Sequence, residues 1–184
     1  MNVEKIYVLH YTKLTKRKEN LQKQFRHFGI DVEYITLFDQ EELNEELIAK
    51  NYDSSKESYD KKIHPVYGPL STPHRLLNKA EISCTLKHKL AIQKISKECE
   101  NYGLILEDDI FLADNFVELF DSFLSSTPPD WDAIFMGCCA GLRVPVENIK
   151  ENVHAYKKNH PASKGGDSYL LKKELATKIS RTMD

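Results

Sequence analysis

An α/β fold with a mostly parallel central sheet flanked by helices is the architecture this sequence predicts, on three observations. The chain opens with an apolar run, Ile6-Tyr7-Val8-Leu9, followed by a helical pattern and a second apolar run. That strand–helix–strand order favours parallel strands joined by a right-handed crossover. Further on, the short run Leu104-Ile105-Leu106 leads straight into Glu107-Asp108-Asp109. Such a run reads as a fully buried strand delivering charge to the carboxyl edge of a sheet, where open α/β folds bind ligands. Segments of helical and strand type then keep alternating to the end of the chain.

At 184 residues the chain suits one domain spanning 1–184, enough to bury a core without disulfide staples. Charged residues make up 29% and the formal net charge is −2, so there is no basic footprint of a nucleic-acid binder. The cysteines, Cys84, Cys99, Cys138 and Cys139, have no metal-ligand spacing among themselves. Vicinal Cys138-Cys139 is a poor disulfide candidate, and the set fits buried thiols of a reducing compartment. The sequence starts directly into a strand, with no signal peptide and no apolar run approaching a membrane span. A cytoplasmic location is therefore expected, with peripheral association at the inner face of the membrane left open, as is the oligomeric state.

In the opening unit, Thr12 or Thr15 is the expected helix cap, and Leu14, Leu21, Phe25 and Phe28 form the apolar stripe. Gly29 is expected just past the helix end, and Val32–Phe38 reads as the second strand. Tyr7–Arg17 thus sits at a strand-to-helix junction, a natural seat for a nucleotide. No glycine-rich phosphate loop is present, which leaves a Walker site and a dinucleotide fingerprint unsupported. Glu41–Lys50 is an acidic helix, residues 51–62 a polar excursion, and Pro65, Gly68, Pro69 and Pro73 enforce an irregular loop. Helical spacing returns over Ala80–Glu100, with Cys84, His88, Ala91, Ile92, Ile95 and Cys99 on one face. After the acids, Ile110 and Phe111 turn back towards apolar surroundings, and Asp114 is the expected cap of a helix carrying Phe116 to Leu124. Pro128-Pro129 ends it. Trp131–Met136 is the next strand, residues 144–158 suggest a small hairpin, Ser168–Leu171 is the last strand, and a final helix starts at Glu174.

Three adjacent carboxylates repel one another and call for a cation. Oxygen ligands suit a hard divalent ion such as Mg²⁺ or Mn²⁺, which can in turn hold a diphosphate. The competing reading is a charged turn that merely ends a strand. Arg17 is either a phosphate contact or a solvated helix arginine; His88 is either a site residue or a core histidine. Glu81 fits the helix dipole as a first-turn acid.

Five separated segments resemble glycosyltransferase family 25, the group of bacterial lipooligosaccharide galactosyltransferases and relatives of collagen galactosyltransferases. Ile6-Tyr7-Val8-Leu9-His10-Tyr11 through Arg17 is similar to the family's I-Y-V-I-N-L-x-R-R-x-D-R start, with His10 standing for Asn. Arg75-Leu76 and Glu81–His88 resemble R-x-L followed by E-I-G-C-x-L-S-H, with Ser83 replacing Gly and Lys87 replacing Ser. Leu106–Ile110 matches L-E-D-D-V. Trp131–Gly137 and Gly165–Leu171 resemble W-D-x-x-x-L-G and G-x-x-x-Y-L-I. The resemblance covers nearly the whole chain in order.

It implies a GT-A-type fold, Mn²⁺ or Mg²⁺ as cofactor, and a UDP-sugar donor, usually UDP-galactose. The implied acceptor is a saccharide or glycolipid such as lipooligosaccharide, with inversion at the anomeric carbon. On this reading Glu107 and Asp109 hold the metal, Asp108, His10, Arg17, Glu81 and His88 serve the donor, and Asp167 is the general base. Asp167 in Gly-Gly-Asp is equally readable as a turn residue. Family members continue into another acidic Pro-Ile-Asp-like segment that residues 1–184 do not contain. A domain without that segment, binding a sugar nucleotide or a partner but no longer transferring, is the alternative. A nucleotidyltransferase would want a basic glycine-rich loop near the start.

Overall fold

The computed structural model describes residues 1, 3–56, 76–137, 146–151, 153, 155–156 and 166–183. Five strands form one sheet in the order β2-β1-β3-β5-β4. They are β1 (Lys5–Leu9), β2 (Glu33–Ile35), β3 (Tyr102–Glu107), β4 (Ala133–Phe135) and β5 (Ser168–Lys172). The helices are α1 (Thr15–Phe28), α2 (Glu45–Asn51), α3 (Lys79–Glu98), α4 (Phe116–Ser126) and α5 (Lys173–Met183).

β1 pairs in parallel with both β2 and β3, whereas β5 is antiparallel to both β3 and β4. The sheet is therefore mixed, with β5 running against the other four strands. The crossover rule that reads β1–α1–β2 concerns parallel strands, and it does not fix the direction of β5. This reversal matters for the site. The start of β5 lies at the same edge as the ends of β1 and β3.

Strand alternation makes both faces apolar. Ile6, Val8, Leu104, Leu106 and Leu170 pack against Leu21 and Phe25 of α1 and Phe120 of α4. Tyr7, Leu9, Ile105, Tyr169 and Leu171 pack against Ala91, Ile92 and Ile95 of α3 and Ala176 of α5. Two covered faces explain why the strands read as continuous apolar runs. Gly29 ends α1 with φ 62°, and Ile30 N–H reaches back to the Phe25 carbonyl at 2.9 Å. A residue with a Cβ is strained in that left-handed conformation.

Several local expectations are corrected. Neither Thr12 nor Thr15 caps α1: Leu14 holds the cap position with no side-chain bond, because Thr12 is turned to Asp39. Asn115, not Asp114, precedes α4, again without a side-chain cap. β2 stops at Ile35 rather than Phe38, since residues 36–39 are recruited by α3. Phe111 is 81% exposed, while Ile110 does pack against the α1-side core. Of the expected hairpin over 144–158, Val146–Asn148 form a 3-10 turn, and much of the rest lies outside the described residues. So do Cys138, Cys139, Arg75, Gly165 and the loop of Pro65 to Pro73. Among the described residues, no helix is long and apolar enough to cross a membrane.

Candidate active site at the ends of β1 and β3

β1 and β3 lie side by side with Leu9 opposite Glu107. The chain leaves β1 towards β2 on one side, and β3 leads to β4 and β5 on the other. A crevice outside the carboxyl ends of two such strands is where open α/β sheets bind ligands. Here a cavity of about 230 Å³ opens between Tyr11, Arg17, Ser83, Cys84, Glu107 and Asp108. A second hollow, of about 380 Å³, lies by Phe25, Arg26 and Asp31 at the α1–β2 turn, the opposite end of the sheet from the acids.

The period of two in β3 separates the acids. Glu107 continues the face of Ile105 and meets α3, where His88 Nε2 is 3.3 Å from its Oε1. Asp108 takes the opposite face and meets α1. Its Oδ2 lies 2.8 Å from His10 Nδ1 and accepts the Tyr11 N–H at 3.2 Å. Its Oδ1 accepts from the Arg17 guanidinium at 2.8 Å. Asp108 is buried and three donors occupy its oxygens, so it fastens the β1–α1 junction to β3. Asp109 lies beyond the strand, half exposed, with Arg17 at 3.4 Å. Part of the cation demanded by three adjacent acids is thus Arg17 itself. The hydrogen bond to Asp108 leads the influences that raise the Arg17 pKa.

The sequence-derived residues divide accordingly. Arg17, Glu107, Asp108 and Asp109 meet at the crevice. His10 is almost wholly buried behind them. Its Nδ1 orients Asp108, its ring meets Tyr34 edge-on, and Nε2 has no hydrogen-bond partner. His88 is half-buried midway along α3, stacked on Tyr169 with Nδ1 2.9 Å from the Tyr169 hydroxyl. It is not a core histidine bonded to backbone. Glu81 is engaged elsewhere: its carboxylate accepts the Asn78 N–H at 2.8 Å while the Asn78 side chain accepts the Glu81 N–H. That reciprocal pair caps α3.

Asp167 reaches the site only because β5 runs backwards. Its carbonyl accepts the Glu107 N–H at 2.7 Å, which anchors it to the acidic motif. Its Oδ2 accepts from Ser168 at 3.1 Å, and Oδ1 is buried without a hydrogen-bond partner. The carboxylate lies against Gly137, where a Cβ would come within 2.1 Å of Oδ2. Only a residue without a side chain fits that contact.

A layer behind the crevice was not read from the sequence. Lys87 of α3 is buried and donates to Asp39 at 2.6 Å and to the carbonyls of Thr36 and Leu37 at 3.1 and 2.9 Å. Asp39 also accepts from the backbone and hydroxyl of Thr12. Burial pushes the Asp39 pKa up, but the bonds from Lys87 and Thr12 outweigh it and hold the carboxyl below its ordinary value. Between these anchors Phe38 adopts φ 69°, a strained conformation for a bulky residue. Ser83 donates to the Phe38 carbonyl at 2.5 Å. Ser83 and Lys87 are the two positions where the α3 segment departs from its motif. That was the available signal, and it gave no partner.

The family model described as glycosyltransferase family 25 (LPS biosynthesis protein) matches residues 3–183. A Drosophila melanogaster protein named Glycosyltransferase 25 family member is 24% identical over 163 residues, 84% of this chain. The chain spans 25% of that relative's length.

Proposed function

This chain belongs to glycosyltransferase family 25, and from that premise we propose that the crevice between β1 and β3 binds a UDP-sugar and passes its sugar to a saccharide acceptor. The observation that carries the reading is the division of labour in the acidic motif. Asp108 is consumed by structure, which leaves Glu107 and the half-exposed Asp109 with oxygen atoms for a hard divalent cation. When bound there, Mn²⁺ or Mg²⁺ would offset the diphosphate charge and make the nucleotide a better leaving group. Arg17 is half exposed beside the same acids and can turn its guanidinium to phosphate oxygens. No side chain caps the first-turn amides of α1, so the helix N-terminus adds partial positive charge at the same place. His10 acts through Asp108, keeping its carboxylate fixed on Arg17.

Asp167 is our choice of general base. Two observations support the choice: the Asp167 carbonyl is tied to the Glu107 N–H, and its Oδ1 holds no hydrogen bond. Attack from the face opposite the leaving group would invert the anomeric centre. A GT-A-type fold, galactose as the sugar and a lipooligosaccharide-like glycolipid as acceptor complete the reading. Its support is the motif resemblance and the family's description. Sugar transfer and donor hydrolysis should be measured across a panel of UDP-sugars with saturating Mn²⁺. Asp109→Asn should lower turnover more than about a hundredfold, on the order of 3 kcal/mol of transition-state stabilisation, with little change in melting. Turnover that survives the substitution would refute the site. UDP binding that needs metal, with no turnover on any donor, would instead make this a sugar-nucleotide-binding domain.

A further inference from the structure

Cys84 and His88 lie four residues apart on α3, so both project from one helix face, and both stand beyond the buried stripe of Ala91, Ile92 and Ile95. Glu107 arrives opposite them from the end of β3. One ligand atom from each of the three falls within 4.8 Å of the others, and His88 Nε2 is already 3.3 Å from Glu107 Oε1. Ligands of a tetrahedral Zn²⁺ stand roughly 3.3–3.6 Å apart, given metal–ligand bonds of about 2.0–2.3 Å. A small inward rotation of side chains closes the set. The histidine is also braced as a metal ligand requires. Its other nitrogen, Nδ1, is 2.9 Å from the Tyr169 hydroxyl, and such an outer partner fixes ring orientation and tautomer. The Gly166 backbone closes one side, since a Cβ there would lie 3.6 Å from both Glu107 Oε1 and His88 Nε2. Cys84 and Glu107 also line the cavity, which leaves a fourth position open to water or to a ligand atom.

We propose that Cys84 Sγ, His88 Nε2 and Glu107 together bind one borderline transition-metal ion of the Zn²⁺ and Co²⁺ class. Sulfur and imidazole select such ions, whereas Mg²⁺ asks for oxygen. The site sits on the α3 side of the sheet edge, in the same cavity as Arg17 and Asp108, which meet on the α1 side. It shares only Glu107 with the hard-cation pair, so an ion held by Cys84 and His88 withdraws Glu107 from Asp109. The proposal stands whether or not the chain transfers sugar, because its test reads the metal alone.

The reduced, metal-free chain should be titrated with Co²⁺ and followed by absorption. One equivalent should give a thiolate-to-cobalt charge-transfer band together with tetrahedral ligand-field bands, and Zn²⁺ should displace it. Cys84→Ser should remove the charge-transfer band and weaken Co²⁺ by more than about a hundredfold. Tyr169→Phe should weaken it by about tenfold while keeping the band. The double variant Cys138→Ser/Cys139→Ser should bind like the parent. His88→Gln, titrated the same way, keeps the test decisive if Cys84→Ser does not fold. A band that persists in Cys84→Ser, one that disappears with Cys138 and Cys139, or no Co²⁺ uptake at all would overturn the assignment.

Discussion

Replacing Lys87 with methionine removes one charge from a pair sealed inside the protein. Side-chain exposure is 5% for Lys87 and 7% for Asp39, so water cannot replace the lost partner. Breaking a buried pair from one side costs about 3–5 kcal/mol, because the remaining ion stays desolvated. The Thr36 and Leu37 carbonyls lose their donor as well, and the left-handed turn at Phe38 loses part of its support. With a urea dependence of about 2 kcal/mol/M, the unfolding midpoint should fall by roughly 2 M. Total stability is on the order of 5–15 kcal/mol, so the variant should still fold in water.

The pH dependence carries the sharper test. In the wild type the depressed Asp39 pKa contributes stability that is present above the unfolded value of about 4 and lost as pH falls through the folded value. In Lys87→Met, burial is opposed by Thr12 alone, so the Asp39 pKa moves up and the penalty is relieved as pH falls. The gap between variant and wild type should narrow from pH 7 towards pH 4. Adding Asp39→Asn to the variant should recover on the order of 2 kcal/mol. Urea melts followed by circular dichroism measure all three quantities. A loss below about 1 kcal/mol, a gap that widens in acid, or strictly additive effects would refute the buried-pair account.

Glu81→Ala should cost about 1 kcal/mol through the lost cap of α3, or 2–4 °C in melting temperature, with UDP affinity by calorimetry unchanged. A tenfold loss of affinity with an unchanged melt would return Glu81 to the donor site. UDP should bind more weakly in EDTA than in Mn²⁺; equal affinity would remove the hard cation from the crevice. Gly137→Ala forces a Cβ onto the Asp167 carboxylate and should destabilise by about 1–3 kcal/mol. If Asp167 is the base, turnover should fall as far as it does in Asp167→Asn; full turnover in either variant would assign the proton to another group.

Much of the architecture was legible because it is written in local periodicity. Apolar runs of three or four residues marked β1, β3 and β5, helical spacing marked α1, α3 and α4, and Gly29 marked its helix end. The acidic motif was legible as well, since charge directly after a buried run places carboxylates at a sheet edge. Its internal division could have been read too, as alternation alone sends Glu107 and Asp108 to opposite faces.

Other features were decided by where distant segments return. The direction of β5 brings Asp167 beside Glu107, and no spacing within Gly-Gly-Asp encodes that direction. Lys87 read as an odd substitution on a helix until the fold set Asp39 and the 36–39 backbone against it. Cys84 and His88 looked like the first members of a core stripe, but α3 overshoots the sheet and leaves them at its rim. Glu81 was assigned to the donor from its motif, whereas Asn78 claims it first. Periodicity reports whether a residue is buried. The partner of a buried charge is chosen by chain segments roughly fifty to a hundred residues away, so only the tertiary structure names it.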